Sequence, residues 1–241
     1  MRSETKGYFL KEYGSWSVLI IAYLAGIGVS RGFTWQVVPV FLALGLLINS
    51  KQAFTKWIRA TGGRKPLIIF LGQIVAATVI LLAVFGRDTP VLLPLLILPA
   101  AYLLMNKLAG EHFILTEVLG FALLSLSALL AKFTITNELD YRLYIGVAVY
   151  FVAGVFKVKA VLSQKTKDRV LSALYVPFAV IAYDSINIPV IALLPLADNL
   201  IVAATLYRVK LQTTGWIEVA KSLVFLVFLI SYLVLHGHFH V

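Results

Sequence analysis

The sequence predicts an all-α fold, a polytopic transmembrane helical bundle of about nine helices. Of the 241 residues, 61% are hydrophobic and only 13% are charged, and the mean hydropathy is +0.93. A globular chain carries about 25% charged residues, and the apolar runs here are too long for a soluble core to cover. They are continuously apolar instead of alternating, which excludes a β-barrel. We expect a single integral membrane domain over residues 1–241.

Nine apolar segments have about the length that a membrane-spanning helix needs, roughly 20 residues or somewhat fewer. They are residues 15–33, 35–50, 66–85, 91–106, 112–133, 141–158, 170–184, 189–206 and 216–235. Short polar or Gly/Pro-containing breaks separate them, such as Gly86-Arg87-Asp88-Thr89-Pro90. The first segment is longer than the apolar part of a signal peptide, so we expect an uncleaved helix. The longest loops in this division, residues 51–65 and 157–169, are both basic.

The distribution of Lys and Arg predicts the orientation of these helices, because cytoplasmic loops of membrane proteins are enriched in both residues. With the N-terminus inside, 17 of the 21 Lys and Arg residues fall on the cytoplasmic side. The outer side then holds only Arg31, Arg87, Lys132 and Arg142. We therefore expect a multi-pass protein of the cell membrane with a cytoplasmic N-terminus and an outer C-terminus.

The net charge of +10 would suggest nucleic-acid binding in a soluble chain. Here the basic residues lie between apolar runs, so we expect membrane lipids as partners and no nucleic acid. The chain has no cysteine, which excludes thiolate nucleophiles and Cys-ligated metals. His236, His238 and His240 have a spacing that picks up metal ions, but a chain end lacks the second coordination shell of a true site. We expect no metal and no cofactor, and the sequence indicates no oligomeric state.

Polar residues inside the apolar segments are the candidates for function, because an ionisable side chain at the bilayer centre costs roughly 2.5–3.5 kcal/mol. Asp198 and Asn199 lie in the middle of the eighth segment, three and four residues after Pro195. They either bridge backbone groups that the proline frees or belong to a site. Glu117 lies inside the fifth segment, where a structural ion pair and a ligand site are both open interpretations.

The predicted substrate-binding residues are polar or aromatic residues of the apolar segments or of the cytoplasmic segments beside them. They are Glu12, Trp16, Lys51, Glu117, Lys159, Asp198, Asn199 and Arg208. We expect five of them, Glu12, Lys51, Glu117, Lys159 and Asp198, to converge on one cytoplasm-facing cavity, with Trp16 in its wall. No catalytic residue is identified, because the chain has no phosphate-binding glycine loop, HExxH helix or GxSxG turn.

The opening Lys11-Glu12-Tyr13-Gly14-Ser15-Trp16 resembles the start of the YwiC-like family of uncharacterised membrane proteins, which reads Glu-His-Gly-Ala-Trp before the first helix. Tyr13 stands where that family has His. Leu115-Thr116-Glu117-Val118-Leu119-Gly120 and the stretch from Gly154 to Leu162 are also similar to it. The resemblance implies a membrane protein and brings no activity with it.

The arrangement of nine helices, with the main cytoplasmic loops after the second and sixth, also resembles the UbiA-type intramembrane prenyltransferases. Those enzymes hold Mg²⁺ and a prenyl diphosphate with aspartate-rich motifs at these two places. Here residues 49–56 contain no acidic residue, and residues 157–169 contain only Asp168. The resemblance therefore implies the arrangement without the magnesium chemistry, because Mg²⁺ needs oxygen ligands such as carboxylates.

These observations are compatible with three functions. They do not decide whether the protein is an enzyme. The first is binding of, or action on, an anionic isoprenoid or lipid whose head group meets Lys51, Lys159 and Arg208 directly. The second is transport of a small solute, with Asp198, Glu117 and Pro195 at a broken helix. The third is a non-catalytic membrane scaffold, in which polar residues hold the helices together.

Overall fold

A computed structural model describes residues 10, 12–59, 64–205 and 211–235 of the chain. These residues are almost entirely helical, and no β-strand occurs among them. Their eight longer α-helices are α1 (Tyr13–Val29), α2 (Val37–Arg59), α3 (Arg64–Phe85), α5 (Ile97–Ala109), α6 (Ile114–Thr136), α7 (Tyr141–Ser163), α8 (Thr166–Ser185) and α10 (Leu211–Leu235). Two short helices, α4 (Thr89–Leu92) and α9 (Ala197–Ala204), lie between them. The prediction of an all-α fold is confirmed.

Five helical runs of the described residues are long and apolar enough to cross a membrane. They are Val37–Ile58, Arg64–Ala109, Ile114–Thr136, Tyr141–Ser163 and Thr213–Leu233, while Tyr13–Val29 and Val190–Ala204 are shorter apolar runs. Arg64–Ala109 has 46 residues and would measure about 69 Å as one straight helix, more than twice the roughly 30 Å of the hydrocarbon layer. It is broken at Gly86, whose φ of +50° interrupts the helix.

The predicted count of nine spanning helices is wrong, because one of the nine segments does not form a long α-helix. Residues 189–206 form a 3₁₀ run, Val190–Leu196, which leads into the eight-residue α9. Pro189 precedes this run and Pro195 lies inside it, and proline has no N–H to donate to an α-helical hydrogen bond. Because a 3₁₀ helix rises about 2.0 Å per residue, the two parts together still extend about 26 Å.

The prediction of basic loops at residues 51–65 and 157–169 is also wrong, since most of the described residues there are helical. Helix α2 continues to Arg59 and α7 to Ser163. Polar residues end the apolar stretch there, but Lys and Gln are good helix formers, so the helix continues beyond it. A sharp break follows α7 at Gln164, which has a φ of +54° and whose N–H donates to the Ala160 carbonyl.

The described residues form two compact units. Those within 1–12 and 34–97 make up unit 1, and those within 13–33 and 98–241 make up unit 2. In unit 1, α2 packs along α3, and the Phe54 ring lies 5.2 Å from that of Phe70 between centroids. The expectation of a single domain stays a prediction.

Unit 2 holds the larger core, formed where α1, α6, α7, α8 and α10 pack together with the 3₁₀ run before α9. Helices α1 and α6 approach closely, and the Ser127 hydroxyl donates to the Leu19 carbonyl at 3.1 Å. The Tyr150 ring of α7 stacks on Phe225 of α10, with 3.8 Å between centroids and 5° between planes. This stack fixes the two helices that carry most of the polar residues described below.

Asp140 at the start of α7 provides a first test of the fold. Its carboxylate accepts the Leu143 N–H at 2.9 Å and contacts Lys132 Nζ at 2.6 Å. Asp140→Ala removes the helix cap and the ionic contact, so we expect the free energy of unfolding in detergent micelles to fall by about 2 kcal/mol. Asp140→Asn, which keeps the cap, should cost about half as much. Asp184→Ala, at an exposed site, should change it by less than about 0.5 kcal/mol; an equal loss for both alanine variants would contradict the assignment.

Candidate functional site

Four charged side chains of unit 2 form a closed cluster, which we call the Lys157 ring. It consists of Lys157 from α7, Asp198 from α9, and Glu218 and Lys221 from α10. Lys157 Nζ contacts Asp198 Oδ2 and Glu218 Oε1. Lys221 Nζ lies 3.1 Å from each of the same two oxygens. Positive and negative groups therefore alternate, and the formal charges of the ring sum to zero.

Helical spacing brings these groups together. Tyr150, Gly154 and Lys157 lie at positions i, i+4 and i+7 of α7, on one face of the helix. Glu218 and Lys221 are three residues apart on α10 and so are neighbours on its surface. Asp198 lies in the first turn of α9, where the helix dipole favours a negative charge.

Asn199 connects the ring to the backbone of α7. It is fully buried, donates from Nδ2 to the Ala153 carbonyl at 3.2 Å, and accepts from Lys221 Nζ at 3.0 Å through Oδ1. The backbone group that Asn199 contacts belongs to α7, so the interpretation that Asp198 and Asn199 bridge backbone groups that Pro195 frees stays a prediction. Asp198 pairs with two lysines.

The other end of α9 is fixed by Arg169 from the first turn of α8. Its guanidinium donates to the Ala203 carbonyl from Nε at 2.8 Å and from Nη2 at 2.5 Å, and to the Ala204 carbonyl at 3.0 Å. The last carbonyls of a helix have no partner within the helix, and a cation there also complements the dipole. Polar contacts therefore fix the short helix at both ends.

The ring has a buried cationic side and a more exposed anionic side. The side chain of Lys157 is 2% exposed and that of Lys221 is 10% exposed, against 33% for Asp198 and 25% for Glu218. The second carboxylate oxygens, Asp198 Oδ1 and Glu218 Oε2, accept no hydrogen bond from the part of the chain that the structure describes. The ring thus presents carboxylate oxygens at its accessible edge.

The Tyr150 hydroxyl lies close to this cluster. Tyr150 is 3% exposed, and its hydroxyl lies next to that of Ser222 and near Glu218 and Asp198. It makes no hydrogen bond of normal geometry with the described residues. A hydroxyl can donate one hydrogen bond and accept two, so the Tyr150 hydroxyl beside Ser222 keeps hydrogen-bonding capacity near the carboxylates.

Two further pairs contain residues predicted from the sequence. In unit 1, Lys51 Nζ lies 2.9 Å from Glu12 Oε2. In unit 2, Glu117 in the first turn of α6 lies 3.8 Å from Lys159 Nζ and 3.9 Å from His112 Nδ1. The oppositely charged partners are those that a structural ion pair would use, so both pairs fit that interpretation.

The remaining predicted residues have separate positions. Trp16 is half-buried on α1 in unit 2, and Arg208 lies outside the described residues. Lys157 and Lys159 are two residues apart, which separates them by about 200° around α7. The Glu117 pair and the Lys157 ring therefore use different faces of that helix, and a common cavity for all the predicted residues stays a prediction.

Three members of the ring, Lys157, Glu218 and Lys221, were not among the predicted site residues. Lys157 lies at the start of a predicted basic loop, and Glu218 and Lys221 lie near the start of the ninth predicted segment. The usable signal was an oppositely charged pair at i, i+3 within an apolar helix, because such a pair needs partners on neighbouring helices. Among the described residues, no group of three His, Cys, Asp or Glu could hold a metal ion.

The sequence model of the YwiC-like protein family matches residues 10–132, just over half of the chain. The chain belongs to the YwiC-like family. The matched part includes Glu12, Trp16, Lys51 and Glu117 and ends before the Lys157 ring. A search of curated proteins finds no match, and no solved structure matches the chain. Family membership and the long apolar helices together indicate a membrane protein; the UbiA-like arrangement stays a prediction.

Proposed function

We propose that this YwiC-like protein is a multi-pass membrane transporter that binds a small polar solute at the Lys157 ring. The observation that carries the proposal is a ring of four charges among apolar helices, next to a helix that prolines interrupt. Charged groups in membrane helices are costly and typically mark solute or ion pathways. Transporters bind their substrates at interrupted helices of this kind.

The fixed position of α9 supports the same proposal. Its first turn supplies Asp198 and Asn199 to the polar cluster, while the prolines before it leave a 3₁₀ run instead of a regular α-helix. Irregular backbone at membrane depth is tolerated where it is buried in protein or lines an aqueous cavity. In this proposal the ring opens to the cytoplasm, in keeping with the predicted cytoplasmic N-terminus.

Binding of an anionic isoprenoid or lipid is the second candidate, and the net charge of +10 favours it. It needs cations that are available to a phosphate. Lys51 and Lys159, its two described candidates, already lie next to Glu12 and Glu117. A head group would have to displace these carboxylates, so the geometry supports solute binding more directly.

The solute-transport proposal can be tested with a ring without charges, Lys157→Met/Asp198→Leu/Glu218→Met/Lys221→Met. Replacing a complete buried ionic cluster with apolar residues of similar size is often neutral or stabilising by about 1–4 kcal/mol. That gain offsets the about 1–3 kcal/mol for leaving Asn199 Oδ1 without a donor. We therefore expect this variant to fold with a melting temperature near that of the wild type.

The measurement is thermal unfolding of both proteins in detergent with methylammonium, acetate or glycerol, followed by uptake of any stabilising solute into proteoliposomes. A solute at 100 times its Kd should stabilise the wild type by about 2.7 kcal/mol and leave the uncharged variant unchanged. Equal responses of the two proteins to every solute would refute the transport proposal. Native mass spectrometry tests the second candidate. If it is right, the wild type retains an anionic lipid, and Lys51→Ala or Lys159→Ala loses it.

A further inference from the structure

We infer that the Lys157 ring binds a small primary ammonium ion. This inference rests on the proposed solute site and specifies the chemistry of its ligand. It follows from the hydrogen-bond donors and acceptors that the ring has in use and those it leaves available.

Most of the hydrogen-bond donors of the ring are already used. A lysine ammonium has three N–H groups, and Lys221 Nζ has three acceptors within 3.1 Å, namely Asn199 Oδ1, Asp198 Oδ2 and Glu218 Oε1. Lys157 is 2% exposed and contacts both carboxylates. The Asn199 amide group donates to the Ala153 carbonyl. A ligand that needs donors, such as a carboxylate or phosphate, would find few of them at the accessible edge.

Acceptors remain available at that edge. Asp198 Oδ2 and Glu218 Oε1 both contact Lys157 and Lys221, so the two carboxylates lie close together, and each has a second oxygen that accepts nothing from the described residues. The carboxylates are the more exposed members and the ammonium groups the more buried ones. The neutral ring is therefore a dipole whose negative side faces outward, which attracts a cation.

The Tyr150 hydroxyl adds a further position for a hydrogen bond. It is buried next to the Ser222 hydroxyl and lies near Glu218 and Asp198. On α7, a Cβ at Gly154 would make an ordinary van der Waals contact with Glu218 Oε2, at 3.7 Å, so this oxygen lies close to the backbone of α7. Three acceptors, two of them charged, match the three N–H donors of a primary ammonium ion.

The test measures the melting temperature of the purified full-length protein with methylammonium chloride, tetramethylammonium chloride or sodium chloride at equal ionic strength. We expect the melting temperature to rise saturably with methylammonium and not with the other two cations, because neither tetramethylammonium nor sodium has an N–H donor. Sodium acetate and glycerol are the anionic and neutral probes. Glu218→Gln should weaken the methylammonium response at least tenfold in apparent affinity, while Glu138→Gln, at an exposed position of unit 2, should leave it unchanged.

Tyr150→Phe keeps the inference testable if the Glu218 variant does not fold. It retains the ring stack on Phe225 and removes only the hydroxyl, so we expect an unchanged or higher melting temperature without ligand and a severalfold weaker methylammonium affinity. An equal response to sodium or tetramethylammonium would overturn the need for N–H donors. Stabilisation by acetate or glycerol that is lost in the uncharged variant would overturn the inference and keep the proposed function. No response to any solute would overturn both.

Discussion

Replacing Lys157 with Met is expected to lower the free energy of unfolding by about 3–5 kcal/mol, the usual cost of removing one partner from a buried ion pair. The variant leaves Asp198 and Glu218 to share Lys221, so the cluster carries one uncompensated negative charge among apolar helices. Denaturant titration in detergent micelles measures the loss. Lys107→Met, at an exposed position of α5, should cost less than about 0.5 kcal/mol.

A double-mutant cycle separates the pairing from other effects of the substitution. Lys157→Met/Glu218→Gln restores a neutral cluster, so the double variant should be more stable than the sum of the two single losses implies. Residues in one salt-bridge network show coupling energies of about 0.5–3 kcal/mol. Additive losses, or a Lys157→Met protein within about 1 kcal/mol of the wild type, would contradict the ring. This stability result tests the structure of the ring, whereas the solute measurements test its function.

The sequence was sufficient for the fold class, because long apolar runs leave few alternatives to membrane helices. It was less reliable for helix ends, as α2 shows. The apolar stretch stops near Ser50, but the helix continues to Arg59, since hydropathy reports where the hydrocarbon would end and not where the backbone stops being helical. The segment after Pro189 shows the opposite case, where an apolar run is too rich in proline to form one α-helix.

The candidate site was only partly predictable, because the packing of the helices decides which charged side chains are buried. Asp198 and Asn199 were recognised because they interrupt an apolar segment. Lys157 and Lys221 lie near segment ends, where a solvated lysine and a buried one look the same in the sequence. Only the packing of α7, α9 and α10 shows that both side chains turn inward and meet the same two carboxylates.

The close contact of α1 with α6 makes Gly26 the second position with a large expected effect. Gly26 is buried, and a Cβ there would overlap the carbonyl oxygen of Ala128 and lie 2.7 Å from the Ala131 Cβ. A backbone carbonyl cannot move aside without moving its helix, so α1 and α6 would have to separate. Their contact includes the hydrogen bond from the Ser127 hydroxyl to the Leu19 carbonyl. Small residues permit such close approach between membrane helices.

We therefore expect Gly26→Ala to lower the free energy of unfolding by about 3 kcal/mol, at the upper end of the usual cost of overpacking, and Gly26→Val to cost more. Gly72→Ala is the matched control, because a Cβ at Gly72 in α3 meets nothing within 4 Å, and alanine is the better helix former. The control should be as stable as the wild type or more so. If both alanine variants melt at the same temperature, α1 and α6 do not pack through Gly26, because the added methyl group would then not clash with α6.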